Sequence, residues 1–357
     1  MPFKPLTVLV GANASGKTNV LKTLMMLHRL MRREKMPDSR AIQNWIWAGD
    51  PQGKMDFKMQ VETDDNPVIY HLVLQSKPNQ CIHTEELLVN EVKVIAVQQG
   101  VGEIRDEDQK NPIQYFSEKL ALKSAGDYGH KPVTHRLTDF IKNWAFFNFM
   151  PEVMRSRNGL MINPSDESPT HLDEEGAVLK HLLCVWHDKN DEKFDWVNQS
   201  LASVTHQLSL KRIDENDGEL GLLEGYDKPI PLDNASDGTL RLLAYYTLLN
   251  QTQLPSILAI EEPERNLHPA VLIRVASLLE ELSHKTQVIV TTHSAQFLDA
   301  FDKDSLGDSL GVLLLKNHKG KGTEVIDFEQ QQKLRAALNS WVKDFGIGSA
   351  IFDSELL

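Results

Sequence analysis

A Gly-x-x-x-x-Gly-Lys-Thr motif starts at Gly11, directly after an apolar, β-branched run, and it constrains the fold more than any other feature of the chain. Leu6 to Val10 has the length and composition of a buried strand. Gly11 to Gly16 supplies small residues, and Lys17 and Thr18 open a stretch where Val20, Leu21, Leu24 and Leu27 recur at helical spacing. Strand, loop and helix in that order are the context in which this motif cradles phosphate, because loop amides and a helix N-terminus together make a positive cup. The expected nucleotide contacts are Gly11, Ala12, Asn13, Ala14, Ser15, Gly16, Lys17, Thr18 and Asn19. Lys17 would reach the β- and γ-oxygens, and the Thr18 hydroxyl would ligate Mg²⁺.

Composition narrows the partners. At 357 residues the chain can bury one large core or two lobes. No apolar run approaches the roughly 18–20 residues of a bilayer span, and with a phosphate loop so close to Met1 no signal peptide is expected within Met1 to Val10. Two cysteines, Cys81 and Cys184, offer neither a disulfide framework nor zinc spacing, so a reducing, cytoplasmic setting is expected. A net charge of −12 does not advertise nucleic-acid binding, which would need a local basic patch. "HRLMRREK", His28 to Lys35, is the best such cluster, and it reads more simply as a solvated helix end.

Periodicity divides the chain into four expected regions: 1–50 with the phosphate loop, 51–133, 134–233 and 234–357. From Met55 to Leu122 the pattern alternates with period two in short segments ("DFKMQVET", "VIYHLVLQ", "EELLVN", "VKVIAVQQG", "GEIRD"), as in an antiparallel lobe. Residues 134–149 read as a helix followed by an apolar strand, 164–176 as a polar loop, 177–210 as mainly helical and 209–232 as a hairpin. The last region reads as α/β: helix 239–250, strand 256–260, helix 269–283, strand 287–291, helix 295–300, strand 311–315 and a final helix 329–345.

Three further motifs lie in that last region. "NASDGTLRLL" places Ser236, Asp237, Gly238 and Thr239 at a helix start, which suits an anion and equally suits ordinary capping. "SILAIEEPERNLHP" carries Glu261 and Glu262 to the end of a buried strand. One carboxylate there can hold Mg²⁺ and the next can polarise a water, although acidic pairs at strand ends are often only solvated turns. "QVIVTTHS" ends another buried strand with His293 at its tip, one helical crossover later.

In these four motifs the chain resembles ATP-binding-cassette-class ATPases. More closely it resembles the branch with structural-maintenance-of-chromosomes, RecF-like and overcoming-lysogenization-defect-like proteins, and the bacterial ATPases of the AAA_21/AAA_15 type. The resemblance implies an α/β fold, a P-loop ATPase head with an inserted antiparallel β lobe and a short helical lobe. It implies Gly11–Thr18 as Walker A, Ser236–Thr239 as signature, Glu261 as the metal carboxylate of Walker B, Glu262 as catalytic glutamate and His293 as switch histidine, with ATP and Mg²⁺ as cofactors. It further implies a homodimer whose heads sandwich ATP, the signature of one capping the γ-phosphate held by the other. Three features depart from the pattern: Glu261-Glu262 stands where Asp-Glu is usual, only Met1 to Lys4 precede the first strand, and "FFNFMPEVMR" at 146–155 has no glutamine where the glutamine loop belongs.

The expected function is that of an ATPase whose head dimerisation controls an effector in trans, a nuclease above all, in anti-phage defence. A nuclease in cis is not expected, because the stretch after His293 is shorter than a TOPRIM domain. A RecF-like DNA-repair clamp and a slowly hydrolysing, nucleotide-sensing scaffold are the alternatives. A transporter ATPase is disfavoured by SDGT in place of SGGQ.

Overall fold

The apolar run at Leu6–Val10 is strand β1, and every one of its residues is buried. The computed structural model describes residues 1–46, 50, 53–62, 67–77, 80–116, 119–125, 129–156, 169–204, 208–213, 219–225, 228–334 and 336–353. After β1 come α1 (Lys17–Arg32), α2 (Ser39–Gln43), β2 (Lys54–Val61), β3 (Val68–Lys77), β4 (Gln80–Val89), β5 (Val92–Gln98), β6 (Val101–Ile104) and β7 (Ile113–Phe116). They are followed by α3 (Ala121–Ala125), α4 (Pro132–Lys142), β8 (Trp144–Phe147), α5 (Pro151–Arg155), α6 (Leu179–Asp188) and α7 (Glu192–Val204). Next are β9 (Leu208–Arg212), β10 (Leu220–Glu224), β11 (Ile230–Pro231), α8 (Asp237–Leu249), β12 (Ile257–Glu261), α9 (Pro269–Ser283) and β13 (Gln287–Thr292). The chain ends with α10 (Ala295–Leu298), β14 (Leu310–His318), β15 (Gly322–Asp327), α11 (Phe328–Leu334), α12 (Ala336–Phe345) and α13 (Ile347–Phe352).

These elements form two units, one of residues 1–19, 145–317 and 323–357, the other of 20–144 and 318–322. The first is built on a six-stranded sheet of order β15-β14-β1-β13-β12-β8. β1 runs parallel to both β13 and β14, and β12 runs parallel to β13. Continuous burial along β1, β12 and β13 is what a parallel sheet covered on both faces requires. Register decides the chemistry: Leu9 and Glu261 both pair with Thr291, so the ends of three strands and the phosphate loop after Val10 meet at one edge.

Helix α8 is buried from Leu240 through Leu249, as expected of a mainly apolar helix enclosed in a core, with Arg241 the one charged residue in that run. It starts at Asp237 rather than 239, because the Ser236 hydroxyl accepts from Thr239 N at 3.2 Å and so defines the cap. The 209–232 segment is a three-stranded antiparallel sheet, β11-β10-β9, rather than a hairpin. The helix expected over 329–345 is described as α11 and α12, residue 335 between them lying outside the described residues, and α13 follows. Of the polar loop expected over 164–176, residues 164–168 lie outside the described residues.

The second unit contains a six-stranded antiparallel meander, β2 to β7 in chain order. β7 was not legible by periodicity: it has four residues, of which only Tyr115 is buried. Beneath the sheet, the fully buried Glu85 carboxylate accepts from Tyr70 Oη at 2.9 Å and from the amides of Ala121 and Leu122 at 2.6 and 2.7 Å. Burial pushes its pKa up to about 7 against the pull of those three donors. The basic segment His28–Lys35 is a helix end: His28 is buried and its Nδ1 donates to Ile141 O at 2.9 Å, while Glu34 pairs with Lys123 at 2.6 Å.

Candidate nucleotide site

The loop after β1 owes its shape to two left-handed residues, Ala14 at φ 63° and Gly16 at φ 106°. A side chain at Gly16 would also collide with its surroundings, since a Cβ there would lie 2.3 Å from Thr323 Oγ1. The neighbouring strands pin the loop: Thr323 Oγ1 donates to Ser15 O at 2.9 Å and Asn317 Nδ2 to Ala14 O at 3.1 Å. Lys17 is 7% exposed and donates from Nζ to Gly11 O at 2.7 Å and Ala12 O at 3.0 Å. Burial pulls its pKa below the usual lysine range, and the nearby charges of Glu262, Glu264 and Glu261 oppose that shift.

The two adjacent carboxylates have separate surroundings. Glu261, at the end of β12, accepts a hydrogen bond from the Thr18 hydroxyl. Glu262 sits at φ 45°, a left-handed conformation that costs on the order of 1–3 kcal/mol for a residue with a side chain. It is held there by its own amide, which donates to Thr291 O at 3.1 Å and to Thr291 Oγ1 at 3.2 Å. The Glu262 side chain therefore lines a cavity of about 280 Å³ with residues 13–19. His293 Nδ1 donates to Glu262 Oε1 at 3.0 Å from the tip of β13.

These donors fit a magnesium nucleotide. The loop amides and the Lys17 ammonium suit phosphate oxygens, and the Thr18 hydroxyl and Glu261 carboxylate are hard oxygen donors. Among the described residues no group of three or more His, Cys, Asp or Glu could hold a metal. A cation held here by few protein ligands, with phosphate and water completing its shell, is how Mg²⁺ binds.

The structure thus brings Lys17, Thr18, Glu261, Glu262 and His293 together. None of Ser236, Asp237, Gly238 or Thr239 lines this cavity. That turn is fixed by Arg155, a residue the motif reading missed. Arg155 Nη2 donates to Ala235 O at 2.8 Å and to Asp237 Oδ1 at 2.5 Å, while Asn266 Nδ2 donates to Asp237 Oδ2 at 3.1 Å. Arg155 ends the 146–155 stretch, so the segment lacking a glutamine instead supplies an arginine to the Ser236–Thr239 turn. Glu264 was also missed. It is half-buried, with Oε2 wholly covered and Oε1 accepting from Thr292 Oγ1 at 2.5 Å, and its desolvation raises its pKa. Its only sequence signal was its place two residues after Glu262.

A protein-family profile described as "AAA domain, putative AbiEii toxin, Type IV TA system" matches residues 6–80 and 121–299. The chain belongs to the AAA_21 family. The unmatched stretch between the two matched segments, 81–120, covers most of β4 and all of β5 to β7. A search of curated proteins found no match. Among solved structures, the SMC head domain from Thermotoga maritima is similar at 14% identity and a TM-score of 0.46, over 92% of each chain. An SmcHead bound to the C-winged helix domain of ScpA is similar at 14% identity and 0.44, over 93% of this chain and 94% of that one. The Smc head from Pyrococcus furiosus bound to the C-terminal domain of ScpA gives 12% and 0.42, over 95% and 94%. Among the described residues no helix is long and apolar enough to cross a membrane.

Proposed function

We propose that this AAA_21 protein binds and hydrolyses Mg²⁺-ATP between two copies of its head, and that the resulting dimer controls an effector protein in trans. The observation that carries the reading is Glu262: its left-handed backbone aims a carboxylate into the cavity lined by the Walker A loop, and His293 holds that carboxylate from behind. When bound, ATP supplies the transferable phosphoryl group and Mg²⁺ neutralises its developing charge. The chain's own residues do the rest. Lys17 leaves the Gly11 and Ala12 carbonyls for phosphate oxygens, and Thr18 and Glu261 turn their oxygens to the cation. Glu262 orients a water and accepts its proton, and His293 holds the Glu262 carboxylate in place.

The Ser236–Thr239 turn has no place in the same chain's cavity, which supports its use against a γ-phosphate presented by a second copy. An effector in trans, such as a nuclease in anti-phage defence, is supported by the sequence resemblance and by the toxin description attached to the family. Recovering only this chain from native cells, with and without phage challenge, would contradict that part. Strong salt-dependent binding to duplex DNA would favour the repair-clamp alternative.

Steady-state hydrolysis by the purified chain tests the catalytic assignment. Glu262→Gln keeps the shape and loses basicity, so ATP affinity should hold while turnover falls on the order of 10²-fold or more. If Glu261→Gln abolishes turnover and Glu262→Gln does not, the two roles are reversed.

A further inference from the structure

Arg241 is the largest fully buried side chain among the described residues, and nothing in the assigned site uses it. It lies on α8, five residues beyond Ser236, with 2% of its surface exposed, and its Nε and Nη1 have no hydrogen-bond partner among the described residues. A guanidinium with two of its three nitrogens left in that state is expensive, because a buried charge is tolerated only when it is paired and fully hydrogen-bonded. The complementary defect lies on the turn after β12. Glu264 Oε2 is also buried and also without a partner. Among the described residues' ion pairs the two side chains form none with each other, yet both act on the same group. Burial raises the pKa of Tyr245, one helical turn after Arg241; the charge of Arg241 and its hydrogen bond to Tyr245 oppose that shift and the charge of Glu264 adds to it, while the Tyr245 hydroxyl donates to Pro263 O at 3.2 Å.

The far side of Glu264 leads to the catalytic edge. Its Oε1 accepts from Thr292, the residue before His293, and His293 in turn holds Glu262. A second tie joins the same two segments at the protein surface, where Asn266 bonds to Asp237. The turn carrying Ser236 and the turn carrying Glu262 are therefore already linked, with one unmade buried contact between them.

We infer that Arg241 and Glu264 are positioning residues, an open buried ion pair that closes across Tyr245 when the Ser236–Thr239 turn engages nucleotide and that fixes Thr292 and His293 behind Glu262. This rests on the proposed ATPase reading. The pair acts through other groups and touches no reacting atom. Its effect therefore belongs on turnover and leaves nucleotide affinity alone. In a closed pair, removing either partner strands the other, so removing both should be no worse than removing one.

The test is a double-mutant cycle on the full chain with Arg241→Met, Glu264→Gln and their combination, plus Arg241→Lys. ATP affinity, KM, kcat and thermal unfolding are measured for each. Each single change should lower kcat roughly tenfold, within the range of measured coupling between contacting residues, with KM and ATP affinity within about twofold. The combined variant should be no slower than the slower single variant, and Arg241→Lys should recover part of the loss. If Arg241→Met fails to fold, the combined variant, which buries neither charge, and Arg241→Lys still carry the test. Losses that multiply in the combined variant, a shift in KM rather than kcat, or full activity in Arg241→Met would overturn the inference. Wild-type protein that binds and hydrolyses no ATP would overturn the parent reading as well, and so separates the two failures.

Discussion

Lys17 shows how one residue's surroundings set its use. Its ammonium is buried near three carboxylates yet, among the described residues, bonded only to the Gly11 and Ala12 carbonyls, an arrangement that nucleotide phosphate can replace. Lys17→Ala should therefore lower ATP affinity on the order of 10²-fold or more, through loss of charge-assisted bonds to phosphate. Equilibrium binding to the folded variant checks this, and unchanged affinity would remove the Walker A assignment. Legibility at this scale followed chemistry confined to short segments. Lys17, Thr18, Glu261 and Glu262 could be read because each stands at a fixed offset inside a strand-loop pattern. Arg155 and Arg241 could not, because their meaning depends on which turn or cavity the fold brings to them.

Strand register, rather than any single motif, makes the site. Because Leu9 and Glu261 share Thr291 as partner, a shift of one residue in β12 would turn Glu261 away from Thr18. The parallel strands and buried helices were legible as apolar runs of the right length. β7 was not, since four mostly exposed residues carry no period. The antiparallel sheet makes its own prediction through Glu85. With a folded pKa of about 7 against an ordinary 4.5, its burial favours the neutral form. The stability this group contributes is therefore fully present below about 4.5 and is lost as pH rises through about 7. Chemical denaturation across that window should show wild-type stability falling by at most about 1.4 kcal/mol per pH unit from this group. Glu85→Gln should flatten that slope whatever its absolute stability, and an unchanged slope would show that Glu85 does not titrate there.

At the scale of the whole molecule, the cavity of one chain is lined by residues 13–19 and Glu262, with no contribution from Ser236–Thr239. Two defective variants should then complement one another. Ser236→Arg spoils the signature and Lys17→Ala spoils the phosphate loop, so a mixture contains one site joining an intact loop to an intact signature. Hydrolysis by the mixture should exceed that of either variant alone. Sedimentation velocity of Glu262→Gln, which is expected to bind ATP without consuming it, tests the central claim most directly. With Mg²⁺-ATP the protein should sediment as a dimer, and with Mg²⁺-ADP, lacking the γ-phosphate that joins the halves, as a monomer. A monomer under both conditions, from a protein whose wild type hydrolyses ATP at full rate as a monomer, would contradict the account.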